Sequence, residues 1–349
     1  MFKGRRFLIF AAAALFLAVT AGRAAAWRGA MKWSYDAQNN VTGAPTAVQG
    51  KVIIGDSEGR LTALDTATGN PVWTFEAGGT INGAPALSGS TLFSGGMDGA
   101  LSAVNLETGA LLWQFNPSEQ YTPGSIWGSP ETGGGRVYFN SADGKVYALN
   151  PASGDVVWTH DTGRELRSSP VYSDGLVFVG TYEGLFLALN AETGVKSWGG
   201  GSGGPLITAA VSGGVVYFGS WDGVLQAVKI HKVLPLWKYN AGESITTKPL
   251  VAGGKIFFGT EKGKMVALDA ETAKLAWEFP VQGGISSSPI LHEGMIFFGS
   301  NGGVLYALNA ATGAEVWKFQ SGGEITASPA AAEGVVYFGS ADGKVYAFE

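Results

Sequence analysis

Tryptophan recurs in this chain at a nearly fixed step, and that step limits the possible fold more than any other feature. Trp33, Trp73, Trp113, Trp158, Trp198, Trp237, Trp277 and Trp317 are separated by 40, 40, 45, 40, 39, 40 and 40 residues. Four short strands and their turns occupy about 40 residues, so each repeat is predicted to be one four-stranded propeller blade. The 349-residue length could hold two domains, but an unbroken repeat favours one closed ring over residues 27–349. The 54 glycines imply frequent tight turns, and a 46% hydrophobic content excludes a disordered chain. No apolar pattern with a 3.6-residue period appears after residue 30.

The repeat ending at Trp317 shows how a blade is encoded. Residues 285–289, 295–300, 304–309 and 317–319 are short runs rich in β-branched or aromatic side chains, bounded by Gly, Asn or Ser. Asp98-Gly99, Asp143-Gly144, Asp222-Gly223 and Asp342-Gly343 recur between the second and third strands. This pair is expected to supply the positive φ angles of a two-residue hairpin. In the fourth strand, Trp73-Thr74-Phe75, Trp277-Glu278-Phe279 and Trp317-Lys318-Phe319 alternate aromatic with polar, which predicts an outer strand with one buried face. The last repeat stops at Glu349 before its tryptophan strand, while Trp33-Ser34-Tyr35 stands unpaired at the front. Joining the two predicts an all-β, eight-bladed propeller of four-stranded antiparallel blades, closed by its N- and C-terminal strands and free of open sheet edges between first and last blades.

Residues 1–26 read differently. Lys3, Arg5 and Arg6 precede an apolar run from Phe7 to Ala21, and Ala24-Ala25-Ala26 offers a small-residue cleavage site, the order of parts in a secretory signal peptide. An uncleaved anchor is the alternative, but the sixteen residues between Arg6 and Arg23 are short for a spanning helix. Arg5-Arg6 also has some likeness to a twin-arginine signal. Without the four basic residues of this segment, 19 Lys and Arg face 28 Asp and Glu, a formal charge near −9. Such a chain has no basic stripe for nucleic acid. Cysteine is absent, which removes disulfides, cysteine zinc sites, thiol catalysis and attachment through a lipidated cysteine.

Between the third strand and the tryptophan lies Ala63-x-Asp65-x-x-Thr68-Gly69-x-x-x-Trp73, repeated at Ala103–Trp113 and Ala307–Trp317, and with its spacing intact at Ala148–Trp158 and Ala188–Trp198. Thr272-Ala273 loses the glycine, and the stretch from Ala227 to Trp237 keeps only the spacing. Residues 33–349 thereby resemble the pyrroloquinoline-quinone-like (quinoprotein-type) propeller repeat, in which the resemblance implies a tryptophan docked between neighbouring blades. Its members include large dehydrogenases, which hold the quinone and a calcium ion over the channel, and compact non-catalytic propellers such as the barrel-assembly lipoprotein of the Gram-negative outer membrane. The shared repeat is architectural and does not choose between them.

The chemistry of the dehydrogenases is hard to find here. Most connections are two to six residues, too short to roof a cofactor, and vicinal cysteines and a haem attachment motif are absent. His160, His231 and His292 occupy unrelated repeat positions and make no metal set, with His160 read as a core-packing residue. Gly199–Gly204 lacks the lysine of a phosphate loop and is read as a flexible connection. Departures from the repeat are more informative. Three residues before the repeated proline, most blades carry Thr, Asn or Ser, but adjacent blades carry Trp127 and Arg167. Lys248 replaces Ala or Ser one residue before its proline, and the five-residue insertion carries Tyr121. Tyr182 and Trp221 adjoin turn residues that the resemblance places at the wider channel mouth. These six residues form the candidate ligand or partner site, because aromatic and arginine side chains dominate binding hot spots. Packing of the insertion by Trp127 and Tyr121, with Arg167 paired to Glu165, is the competing explanation.

The sequence thus predicts an exported, monomeric, non-enzymatic scaffold, periplasmic or secreted, that binds an envelope protein, peptide or small ligand, with outer-membrane protein assembly as its setting. No cofactor or metal is expected, and membrane contact is indirect or through the N-terminal segment. A minimal quinone- and calcium-dependent oxidoreductase and a small-molecule sensor are the alternatives. Mass spectrometry of exported protein should find a chain beginning near Trp27; retention of residues 1–20 would favour the anchor.

Overall fold

The computed structural model describes residues 27–117 and 124–349. Segment 1–26 and Tyr121 lie outside the described residues. Thirty-two strands form eight antiparallel sheets of four. Blades 1 to 7 cover residues 46–76, 86–115, 131–161, 171–201, 210–240, 250–280 and 290–320. Blade 8 combines Ala330–Ala332, Val335–Gly339 and Lys344–Phe348 with the N-terminal strand Met31–Asp36. Trp33 sits opposite Ala347 and Tyr35 opposite Val345, so the predicted closure is present. The first strands of successive blades contact one another around the ring, which makes them the channel wall.

Strand periodicity explains why the middle strands are apolar on both faces. In Lys51–Gly55, Val52 and Ile54 pack into the core between blades 8 and 1, whereas Ile53 packs into the core between blades 1 and 2. Every interface between neighbouring blades holds such a core. Alternation here separates two buried faces rather than a buried from a wet one.

The outer tryptophans tie each blade to the next. The Trp73 indole N–H donates to the Leu106 carbonyl at 2.9 Å, Trp33 to Thr66 at 3.0 Å and Trp158 to Ala191 at 3.0 Å. The Thr-Gly of the following blade lies flat on the ring. Gly69 has φ +72°, and a Cβ there would stand 2.6 Å from the Trp33 indole, so glycine is required both for backbone conformation and for space. Trp317 has no following Thr-Gly turn; instead Gly29 lies against it and Trp27 meets it edge-on at 5.0 Å.

Two expectations need correction. The turns between second and third strands are four residues long, as in Gly96–Gly99, where the Gly99 N–H donates to the Gly96 carbonyl. Only the glycine has positive φ, +86° at Gly99 and +90° at Gly144. The aspartate acts through its carboxylate, which accepts the N–H two residues ahead: Asp143 accepts from Lys145 and Asp342 from Lys344. Nor is Gly199–Gly204 simply a flexible connection: Gly199, Gly200 and Gly201 extend the outer strand Lys196–Gly201, paired with Leu187, Phe186 and Leu185. Elsewhere an aliphatic third-strand residue faces an outer-strand aromatic, as Leu61 faces Phe75 and Leu305 faces Phe319. In blade 4 the pair is inverted to Phe186 and Gly200. Phe186 fills the space from inside, stacked on Phe218 at 4.2 Å, and the outer strand needs no bulk there.

Trp73→Ala should lower unfolding free energy by about 3–5 kcal/mol through lost packing and an orphaned carbonyl. Trp198→Ala should cost less, because its indole N–H has no partner among the described residues. Guanidinium unfolding midpoints compare the two.

Candidate functional site

A fully buried aliphatic residue precedes both Trp127 and Arg167, namely Ile126 and Leu166. These aliphatics anchor the entry to blades 3 and 4 and leave the next side chain facing the mouth. Tyr182 and Trp221 lie in second-to-third-strand turns at the same end, held there by Tyr182 N–H to the Glu165 carbonyl and Trp221 N–H to the Pro205 carbonyl. The Arg167 guanidinium carbon stands 4.4 Å from the Tyr182 ring centre and 5.1 Å from that of Trp127. Tyr182 in turn meets Trp221 edge-on at 5.5 Å. The result is a continuous row of Trp127, Arg167, Tyr182 and Trp221 across blades 3 to 5, with Trp127 37% and Trp221 46% exposed.

Arg167 also donates from Nε to Glu165 at 2.8 Å, and this bond holds the guanidinium protonated more firmly than usual. The pairing that sequence offered as a competing explanation is therefore present alongside the aromatic contacts. It orients Arg167 without burying it.

Lys248 reaches the site through the channel wall. Just before the inner strands, hydroxyls link blades: Ser129 N–H donates to Ser169 Oγ, Ser169 to Thr208 Oγ1, Lys248 to Ser288 Oγ and Ser288 to Ser328 Oγ. Lys248 occupies a position where several other blades supply a hydroxyl, and its side chain is exposed. Arg167, Tyr182, Trp221 and Lys248 line one recess of about 240 Å³, with no carboxylate among the described residues of its walls. Lys248 also borders a second recess of about 310 Å³ against the inner strands of blades 4 to 6.

Sequence reading missed Glu131, the first inner-strand residue of blade 3. Burial pushes its carboxyl above the usual range, and the Lys248 charge pulls it partly back. The corresponding residues of other blades are Thr46, Ala86, Val171, Ala210, Leu250, Ile290 and Ala330, so its charge was visible as a departure one residue after the proline. His160 is half-buried at an outer strand, His231 is exposed, and His292 lies near Glu293 at 3.9 Å. Among the described residues no three His, Asp or Glu side chains converge to hold a metal. The recess therefore offers cations and hydroxyls, a poor fit to a quinone held through calcium.

Eight four-stranded blades with interlocked tryptophans define a propeller of the quinoprotein-like repeat class. The pattern of the family described as "Outer membrane protein assembly factor BamB" matches residues 18–165, 142–247 and 235–349, and the chain belongs to that family. Among solved structures, BamB from Moraxella catarrhalis is similar at TM-score 0.79 and 20% identity, over 92% of this chain and all of that one. Quinohemoprotein alcohol dehydrogenase from Comamonas testosteroni is similar at TM-score 0.75 and 16% identity, over 91% of this chain and 76% of that one. The computationally designed Ika8 protein is similar at TM-score 0.78 and 17% identity, over 90% and 97% of the two chains. At these identities the structural likeness shows the fold alone. No curated protein matches the sequence.

Glu131 gives the channel a pH signature. A carboxyl raised by burial favours the folded state most below its unfolded pKa, and that contribution is lost as pH rises through the folded value. Glu131→Gln should accordingly raise the melting temperature at pH 7, with the gain shrinking as pH falls towards 4. Lys248→Ala, which removes the compensating charge, should lower it at pH 7. Thermal scans across this range read both effects.

Proposed function

We propose that this protein is an exported, non-catalytic scaffold that binds a polypeptide partner during outer-membrane protein assembly, through the mouth formed by Trp127, Arg167, Tyr182, Trp221 and Lys248. Membership of the assembly-factor family supplies the setting. The observation that carries the site is Arg167 held between two aromatic rings beside a recess that no carboxylate lines among the described residues. An arginine oriented by Glu165 and flanked by exposed aromatics is pre-organised, which lowers the entropy cost of association. Tryptophan, tyrosine and arginine are also the side chains on which interface affinity concentrates. The resemblance to dehydrogenases supports a second reading, oxidoreduction, but no three His, Asp or Glu side chains converge among the described residues, which weighs against it.

Capture of partners from envelope extracts by the immobilised protein tests the reading. Trp127→Ala with Arg167→Ala should weaken binding of a captured partner by about 2 kcal/mol or more. Its melting temperature should move less than that of Trp277→Ala, which removes a side chain from an interblade core. Normal binding by the double variant, or a stability loss as large as the core variant's, would assign these residues to packing.

A further inference from the structure

The repeat is most altered in the turn between the third and fourth strands of blade 5, far from the chemistry of the mouth. Elsewhere this turn begins with Asp or Asn, whose side-chain oxygen accepts backbone N–H groups, as Asp65 does from Thr68 at 2.8 Å and Asn190 from Thr193 at 3.0 Å. Blade 5 has Lys229 instead, followed by Ile230, His231, Lys232 and Val233, the last at φ +50°. A β-branched residue in the left-handed region is strained. The turn itself demands this conformation, which glycine supplies in most blades, as at Gly69 (φ +72°) and Gly194 (φ +70°), so blade 5 keeps the backbone and gives up the glycine. Of the turn residues the buried Ile230 joins the core beside Trp198.

Exposed aliphatics open the outer strands of other blades too, as Val72, Leu111 and Leu275 do, and what the altered turn of blade 5 adds to that surface is cations. Val233, Leu234 and Leu236 are 47%, 50% and 45% exposed, and Val195 of blade 4 is 64% exposed. Lys229, Lys232 and Lys238 are exposed among them, with Lys196 on the blade 4 side next to Val195. None of these four lysines has a carboxylate within ion-pairing distance among the described residues. No Asp or Glu occurs between Asp222 and Glu243. A basic, aliphatic edge has thus been built into a chain whose formal charge is −5.

We propose that the outer edge of blades 4 and 5 docks on an anionic lipid bilayer. Its composition separates it from a protein interface: lysine is depleted at interface centres, and the aromatic and arginine anchors lie at the mouth instead. Lysines interleaved with exposed aliphatics suit a bilayer surface. Their stems lie along apolar groups while the ammonium reaches lipid phosphates, and the valine and leucine side chains enter the headgroup boundary. The surface is distinct from the mouth, so a partner and a membrane can be held together.

Residues 27–349, which contain every strand of the ring, are centrifuged with vesicles of phosphatidylethanolamine containing 30% phosphatidylglycerol, and with phosphatidylcholine vesicles. Binding to the anionic vesicles alone, weakened by added salt, is expected. Lys229→Gln, Lys232→Gln and Lys238→Gln together should reduce it roughly 100-fold, about fivefold for each lysine near an anionic surface. Lys145→Gln, Lys318→Gln and Lys344→Gln, an equal charge change elsewhere, should leave it nearly unchanged. Leu234→Ser with Leu236→Ser should weaken the binding that survives high salt, and circular dichroism melting confirms that each variant is folded. Equal binding to both vesicle types, no binding, or equal loss with both lysine sets overturns the proposal. So does loss of an acidic protein partner, without any vesicle binding, in the blade 5 variant. None of these outcomes bears on partner capture by the mouth.

Discussion

Each blade borrows part of its stability from the next, and the indole contact between blades is where that dependence is most visible. In most blades the tryptophan N–H reaches a carbonyl in the following blade and that blade's glycine lies against the ring; Trp198, which is followed by Val233 instead of glycine, has no such partner among the described residues. One interaction thereby fixes three sequence features: the tryptophan, the glycine, and the distance of about one repeat between them. It also explains why the chain must close. A row of blades would leave a tryptophan at one end without a neighbour. Here the last of them, Trp317, is covered by Trp27 and Gly29, just before the strand Met31–Asp36 that completes blade 8.

A frame so constrained concentrates its variation where packing does not decide identity. The mouth residues Trp127, Arg167 and Lys248 take the place of Thr, Asn, Ser or Ala, and the blade 5 turn replaces an Asp or Asn with Lys229. Blade 4 shows the contrasting case. Its glycine tract departs from the repeat, yet Phe186 supplies the aromatic ring from the other strand and stacks on Phe218. A departure with a compensating partner is packing. One that leaves exposed cations or aromatics without a packing role is a candidate for function.

That distinction marks what the sequence could tell. Blade number, closure and the outer tryptophan strands were legible because period and alternation translate directly into strands. The turns were misread because Asp-Gly suits several hairpin lengths, and only coordinates show the aspartate capping Lys145 rather than adopting positive φ. The mouth residues were legible singly, as departures. That Arg167 lies between Trp127 and Tyr182, residues 40 and 15 positions away in sequence, depends on blade-to-blade geometry that spacing does not encode. Glu131 was passed over because a glutamate beginning a strand looks solvated until its neighbours across the ring are placed.

Hydrogen exchange on a chain lacking residues 27–36 tests most directly whether the blades depend on their neighbours. The account predicts that amides of Lys344–Phe348 lose protection, that the loss spreads into Val335–Gly339 and the Trp317 strand, and that soluble yield falls. Unchanged protection at full soluble yield would contradict it, since blade 8 would then stand without the N-terminal strand that pairs with it.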